Sequence, residues 1–252
     1  MNRFELLFDH IYRLKVPFAD NFTSVFLVRT SEGDALLDCA TTESDASDHI
    51  LPALVDFGAN VRWIAVSHDH SDHVGGLPYV AAGLPGAQVC MLEEAPIARY
   101  PGHRLLHDGD TLAGCLRVLN LPGHTDHSLG LLDERTMTLL TFDSLQLGGV
   151  SRWGTGLGFP SLYRQTIARL RTMEFDNIVA AHEYVPLGAI AKGRAAVEVY
   201  LTECLNDVRN IEEHIAAHSG LTPDELVKSF NETHPAHPPI GSWTVQALID
   251  GK

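Results

Sequence analysis

Basic residues, cysteines and long apolar runs are all scarce in this 252-residue sequence. Lys and Arg number 18 against 32 Asp and Glu, a formal charge of −14 with His neutral. A field of that sign repels phosphate backbones and slows capture of strongly anionic substrates unless a local Arg or Lys reverses it, so no nucleic-acid partner is expected. The four cysteines, Cys39, Cys90, Cys115 and Cys204, stand far apart without a C-x-x-C pair. That spacing speaks against both a disulfide scaffold and a structural zinc clip. No apolar run approaches the roughly 20 residues of a membrane span. Met1-Asn2-Arg3-Phe4-Glu5 has no basic stretch feeding an apolar segment, so no secretory leader is read there. The expectation is a cytoplasmic protein with no membrane partner.

What remains is globular composition, 45% hydrophobic and 20% charged, on a chain long enough for one main core and a small appendage. Apolar and β-branched runs at residues 22–28, 35–38 and 61–66, bounded by polar or Gly positions, read as strands. Residues 43–57 repeat Ile50, Leu51, Leu54, Val55 and Phe57 at near-helical spacing and meet Gly58, which predicts a helix with a glycine end. Further strands are expected at 111–121, 129–133, 136–142 and 177–181, and a helix at 161–172 after Pro160. From Gly188 on the composition turns helical: 191–218 predicts one long helix, Thr222-Pro223-Asp224-Glu225 a capping box, and 243–249 a last helix beyond a Pro-rich break at 234–239. Two β-rich halves with accompanying helices suggest an α/β (α+β) arrangement of two packed sheets with helices outside. The division expected is a catalytic domain at 1–190 and a helical extension at 191–252.

The most informative segment follows the strand at 61–66. In Ser67-His68-Asp69-His70-Ser71-Asp72-His73, three His and the Asp of H-x-H-x-D-H occupy six positions. A loop leaving a strand sends alternate side chains to one side, so His68 and His70 can share a metal as neutral imidazoles while Asp72 and His73 turn toward a second position. One loop cannot close a metal shell, and further ligands are needed at other strand ends. His124, Asp143 and His182 each follow a predicted strand.

This order, H-x-H-x-D-H followed by His, Asp and His, resembles the metallo-β-lactamase superfamily, with all seven positions filled. The resemblance implies a four-layer αββα sandwich with a C-terminal helical extension. It assigns His68, His70 and His124 to one metal, Asp72, His73 and His182 to a second, and Asp143 to the bridge. Locally the wording is similar to glyoxalase II: residues 143–152, DSLQLGGVSR, resemble D-T-L-F-x-x-G-C-G-[RK], and Ala181-His182-Glu183-Tyr184 resembles G-H-E-Y. Arg152 matches a basic residue that contacts glutathione in that family. Gly154 stands where an aromatic residue is expected, and the motif N-P-F-[LM]-R is absent, so the likeness is specific for the metal site rather than for the substrate.

The function expected on these grounds is a binuclear hydrolase in which a metal-bridging hydroxide, oriented by Asp72, cleaves a thioester or a related ester or lactone. Imidazole and carboxylate ligands without thiolate favour two Zn²⁺, and Fe²⁺ or Mn²⁺ also suit them. Arg152 and Trp153 in the Gly-rich stretch 148–160, together with Tyr184, His127, Asn21 and Phe22, are the candidate substrate contacts, with Lys15 and Phe18 as weaker ones from an N-terminal loop. Asp38 is a candidate for orienting a ligand imidazole, or else an ordinary turn cap. His103, His107, His214, His218, His234 and His237 read as solvated. A small-molecule acyl compound is the expected partner, and a homodimer is compatible with the reading. Two alternatives stay open: a mononuclear-iron, persulfide dioxygenase-like oxidoreductase, and a metal-binding effector with little turnover.

Overall fold

The computed structural model describes residues 3–94 and 96–251; Met1 and Asn2 of the leader reading lie outside them. The strands fall into a seven-stranded and a six-stranded sheet. The chain divides into two compact units, residues 1–120 with 129–138, and residues 121–128 with 139–252.

The first unit opens with strands β1 (Glu5–Phe8), β2 (Ile11–Phe18), β3 (Asn21–Thr30) and β4 (Gly33–Leu37), paired antiparallel in sequence order. The chain then crosses over through a π-helical turn, Asp45–Ile50, and helix α1 (Leu51–Phe57). Gly58 ends α1 at φ 67°, a left-handed conformation open to glycine without a Cβ penalty. Strand β5 (Val61–Ala65) returns parallel to β4, followed by the short helices α2 (Ser71–Val74) and α3 (Leu77–Gly83) and by β6 (Gln88–Met91) and β7 (Arg104–Leu105). Leu14, Leu27, Leu36, Ile64, Val66 and Leu77 meet in one buried cluster that the crossover helix covers with Ala53 and Leu54. Because β4 and β5 are parallel, their C-terminal ends emerge at the same edge, where ligand-bearing loops of open α/β sheets collect.

Two readings from the sequence change in this unit. Residues 111–121 form two strands, β8 (Thr111–Leu112) and β9 (Leu116–Asn120), which pair antiparallel. Ala113 and Gly114 between them take positive φ, 51° and 72°, and such a turn cannot continue a strand. Lys15, Phe18, Asn21 and Phe22 belong to the paired strands β2 and β3, not to a loop, with Phe18 opposite Asn21 at the hairpin end. Strand β10 (Leu129–Asp133) pairs with β9.

The second unit contains β11 (Thr138–Phe142) from its second residue on, helix α4 (Pro160–Thr172) and β12 (Asn177–Ala180). Residues 191 and 192, expected to open the long helix, instead belong to β13 (Ile190–Lys192), antiparallel to β12. Gly193 at φ 84° then turns the chain into α5 (Arg194–Ala217). Pairing with a neighbouring strand edge overrides the helical preference of Ala191 and Lys192. Helices α6 (Pro223–Thr233) and α7 (Ser242–Asp250) complete the tail, meeting α5 through Ile211, Leu226, Phe230, Ile240 and Val245. No helix among the described residues is long and apolar enough to cross a membrane.

The capping box at the start of α6 is complete: Thr222 Oγ1 accepts from Glu225 N–H, and Glu225 Oε2 accepts from Thr222 N–H at 2.9 Å. Removing such a cap costs about 1 kcal/mol. Thr222→Ala is expected to lower Tm by about 2–4 °C in a thermal melt, and an unchanged Tm would show that α6 is held by packing alone.

Candidate metal centre

In the first unit, the candidate residues are organised by the adjoining ends of β4 and β5. Asp38, directly after β4, is fully buried and adopts φ 63°, a left-handed conformation that Asp tolerates better than most residues. Its Oδ1 accepts from Ser67 N–H at 2.7 Å, and its Oδ2 accepts from Ser67 Oγ at 2.9 Å and from His73 Nδ1 at 2.7 Å. Burial pushes the Asp38 carboxyl up, opposed by the His73 imidazole beside it. Asp38 therefore ties the start of the H-x-H-x-D-H loop to its end, and fixes the proton of His73 on Nδ1. Of the two roles that the sequence allows Asp38, the orienting of an imidazole is the one observed.

The loop is also held by close backbone approach. A Cβ on Gly76 would lie 2.1 Å from the Cys39 carbonyl oxygen, and one on Gly75 2.2 Å from that of Thr41. Only glycine lets the chain after α2 press against residues 39–41, and this draws His73 beneath β4, its carbonyl accepting from Cys39 N–H at 2.9 Å. Burial pushes the Cys39 thiol well up, followed by the nearby Asp38 charge, so this thiol is kept neutral.

His68, His70 and His73 crowd together, with ring centroids 4.6 Å apart for His68 and His70 and 4.3 Å for His68 and His73. His68 Nδ1 contacts Ser67 Oγ at 2.9 Å. His73 Nε2 lies 3.4 Å from Asp72 Oδ2, and Thr23 Oγ1 donates to that same oxygen at 3.3 Å. The sequence singles out Asn21 and Phe22 but not their neighbour Thr23. The Phe22 ring instead lies beneath Lys15 Nζ, 4.6 Å from its centroid.

In the second unit, Asp143 follows β11 and His182 follows β12, strands adjacent in the sheet. Phe142, immediately before Asp143, takes φ 49°, strain of a kind that persists where surrounding structure enforces it. Asp143 offers one oxygen to each of two imidazoles: Oδ1 is 3.4 Å from His182 Nε2 and Oδ2 is 3.9 Å from His124 Nε2. His124 is buried, and its Nδ1 donates to the Gly156 carbonyl at 2.6 Å. Gln146 braces the pair, accepting from Gly156 N–H at 2.6 Å and placing Nε2 2.9 Å from His124 Nδ1. Gln146 stands where the glyoxalase II wording has Phe, and that departure is its only signal in the sequence.

Tyr184 is buried edge-on to His182, centroids 5.7 Å apart. His127, Arg152 and Trp153 are exposed. Two histidines read as solvated are not: His214 is buried against His218 and Phe230, and His237 Nε2 lies 2.6 Å from Asp207. Helix packing in the tail accounts for both, since α5 and the segments after it turn these rings onto one another.

The donor set fits divalent metals. Neutral imidazole binds a cation through one nitrogen while the other is fixed by a carboxylate, carbonyl or hydroxyl. His73 and His124 have Nδ1 engaged in this way, and His68 Nδ1 meets a hydroxyl, so Nε2 is the nitrogen that each would turn to an ion. Within each unit, His68 with His70, Asp72 with His73, and Asp143 with His182 bring ligand atoms close enough together to share an ion.

The model of the metallo-beta-lactamase superfamily matches residues 19–182. A hydroxyacylglutathione hydrolase of Gloeobacter violaceus is 32% identical over 170 residues, 66% of this chain and 64% of that one. The match thus spans just under two thirds of that relative. The hydroxyacylglutathione hydrolase of Pseudomonas putida strain F1 is 30% identical over 189 residues, 69% of this chain and 71% of its own. Among solved structures, a metallo-beta-lactamase family protein from Thermus thermophilus superposes with a TM-score of 0.68 at 21% identity, over 96% of this chain and 91% of that one. The metallo-beta-lactamase FIM-1 from Pseudomonas aeruginosa, in its mono-zinc form, gives 0.64 at 16% identity over 81% and 95%. The fold is therefore the expected αββα sandwich with C-terminal helices, and its buried His and Asp groups are of metal-binding type. On the matched span, the seven-position His and Asp pattern and the fold together, this chain belongs to the metallo-beta-lactamase superfamily.

Proposed function

We propose that the protein is a binuclear metallohydrolase that cleaves a thioester or a related acyl bond. The observation that carries this reading is the set of imidazoles whose Nδ1 atoms are held by Asp38, Ser67 and Gly156, with Asp143 offering one oxygen each to His124 and His182. In this reading His68, His70 and His124 would hold one ion and Asp72, His73 and His182 the other, with Asp143 as a further carboxylate donor. Divalent ions there supply Lewis acidity, making water nucleophilic at neutral pH and polarising the carbonyl. Imidazole and carboxylate ligands favour Zn²⁺.

The chain's own groups then do the positioning. Asp72, steadied by Thr23, accepts a hydrogen bond from the attacking water and sets its direction. Asp38 keeps His73 in one tautomer, and Gly156 with Gln146 does the same for His124. The buried environment of these groups limits stray solvent and strengthens every charge interaction made there. The relatives named hydroxyacylglutathione hydrolase support a thioester as the bond, and Arg152, matching their basic position, supports a substrate with an anionic part. The cytoplasm is the compartment consistent with four separate, reduced thiols.

The test is metal analysis of the purified protein together with hydrolysis of glutathione thioesters, coenzyme A thioesters, lactones, β-lactams and phosphodiesters. Two metals per chain and a preference for acyl substrates are expected; oxygen consumption with a single iron would replace the reading by persulfide oxidation. Arg152→Ala is expected to raise KM more than it lowers kcat, because a grip on a remote group is made equally in ground and transition states. An unchanged KM would remove Arg152 from the substrate.

A further inference from the structure

The loop that holds His124 is built against the last helix. Gly158 N–H donates to the His124 carbonyl at 3.1 Å, and Gly156 O accepts from its Nδ1. From α7, Thr244 Oγ1 donates to the Thr155 carbonyl at 2.7 Å and accepts from Leu157 N–H at 3.1 Å. Thr155 is fastened again from α5, its hydroxyl donating to Asp207, the residue that pairs with His237. Residues 154–158 are thus clamped by the C-terminal helices rather than left as a mobile surface loop.

Trp243, one residue before Thr244, lies edge-on to the His124 ring, centroids 5.8 Å apart at 76°. Its benzo edge rests on the glycines of this loop. A Cβ on Gly158 would come within 2.7 Å of Trp243 Cζ2, and one on Gly156 would lie 3.4 Å from Cζ3 and 3.5 Å from His124 Cε1. The loop therefore makes room for the indole, yet the side chain stays 48% exposed while Thr244 and Val245 beside it are buried. Neither 154–158 (GTGLG) nor 242–245 (SWTV) contains a charged side chain, so this wall suits an apolar group and not an anion.

We infer that Trp243 is a specificity-determining residue, an aromatic wall beside the His124 ligand that receives an apolar acyl substituent of the substrate. This deepens the hydrolase reading and rests on it. The sequence signal is slight, a lone Trp at the start of a short helix after the Pro-rich break.

The experiment uses the metal-loaded full-length protein and thioesters of one thiol with acyl chains from acetyl to octanoyl. Wild-type kcat/KM is expected to rise about fourfold per methylene over the first few carbons, the value of burying a CH₂. Trp243→Ala is expected to flatten that rise, losing at least about tenfold on the octanoyl compound and less than about twofold on the acetyl one. Trp243→Phe is expected to keep most of the slope with the fold undisturbed. A loss in Trp243→Ala that is equal for all chain lengths, with a normal far-UV spectrum, would overturn the proposal. Binding provides a separate readout: in a Trp63→Phe, Trp153→Phe background, Trp243 fluorescence is titrated with acetate through octanoate. Chain-length-dependent quenching without any turnover would retain the wall and refute the hydrolase reading. Turnover with neither chain-length preference nor quenching would do the reverse.

Discussion

Replacing His124 with alanine is expected to strip metal from the protein and, with it, hydrolysis. His124 presents Nε2 on the side of Asp143 while Gly156 and Gln146 hold its other nitrogen, so the substitution removes a pre-oriented nitrogen donor. Loss of a group that merely orients a ligand costs roughly 10–100-fold in metal affinity. Loss of the ligand itself is expected to exceed that, with activity falling by at least about 100-fold. The change also removes the partner of the Gly156 carbonyl, a cost of about 1–3 kcal/mol if that group stays dry. Metal content by mass spectrometry, turnover, and a thermal melt on one preparation separate the two effects. A His124→Ala protein that keeps its metal and its rate would contradict the assignment, whatever its Tm.

The second large effect is expected at Asp38, which touches no substrate in this reading. Its carboxylate is the common acceptor for Ser67 N–H, Ser67 Oγ and His73 Nδ1. Asp38→Asn keeps the shape and tolerates φ 63°, but loses the charge that sustains the Nδ1-protonated tautomer of His73. Metal affinity is expected to fall about 10–100-fold, with far-UV structure intact and excess metal restoring much of the activity. Asp38→Ala is expected to do more damage. It leaves buried donors unpaired, about 1–3 kcal/mol for such a group, and places alanine in the left-handed region at a further cost of about 1–2 kcal/mol. Chelator competition measures the first quantity and a denaturant titration the second. If Asp38→Asn binds metal as tightly as the native chain, the tautomer argument fails. The order His124→Ala, then Asp38→Ala, then Asp38→Asn in lost metal affinity is itself a check on which residues ligate and which orient.

Legibility in the sequence follows the range of the interactions involved. Local signals are reliable: the strand at 61–66 running into the histidine motif, Gly58 ending a helix, and the capping box at Thr222 all depend on residues a few positions apart. Strand β13 reads as helix because its pairing partner, β12, decides its state and lies 13 positions upstream. Thr23 and Gln146 are invisible for a related reason. A threonine on a strand and a glutamine in a loop are ordinary until the fold places one 3.3 Å from Asp72 and the other beside His124. Trp243 belongs to this class too, since its separation from His124 along the chain hides a ring contact.

From the order of its histidines and aspartates alone, this chain can be read as a metal-binding αββα protein, because ligand chemistry needs particular residue types at strand ends and their spacing survives in one dimension. Which nitrogen His68, His73 and His124 would turn to an ion, which hydroxyl, carboxylate or carbonyl holds the other, and that the tail sets an indole beside His124 were decided by tertiary structure. Those are matters of orientation within a few ångströms, and orientation is fixed by packing between segments that the sequence keeps far apart.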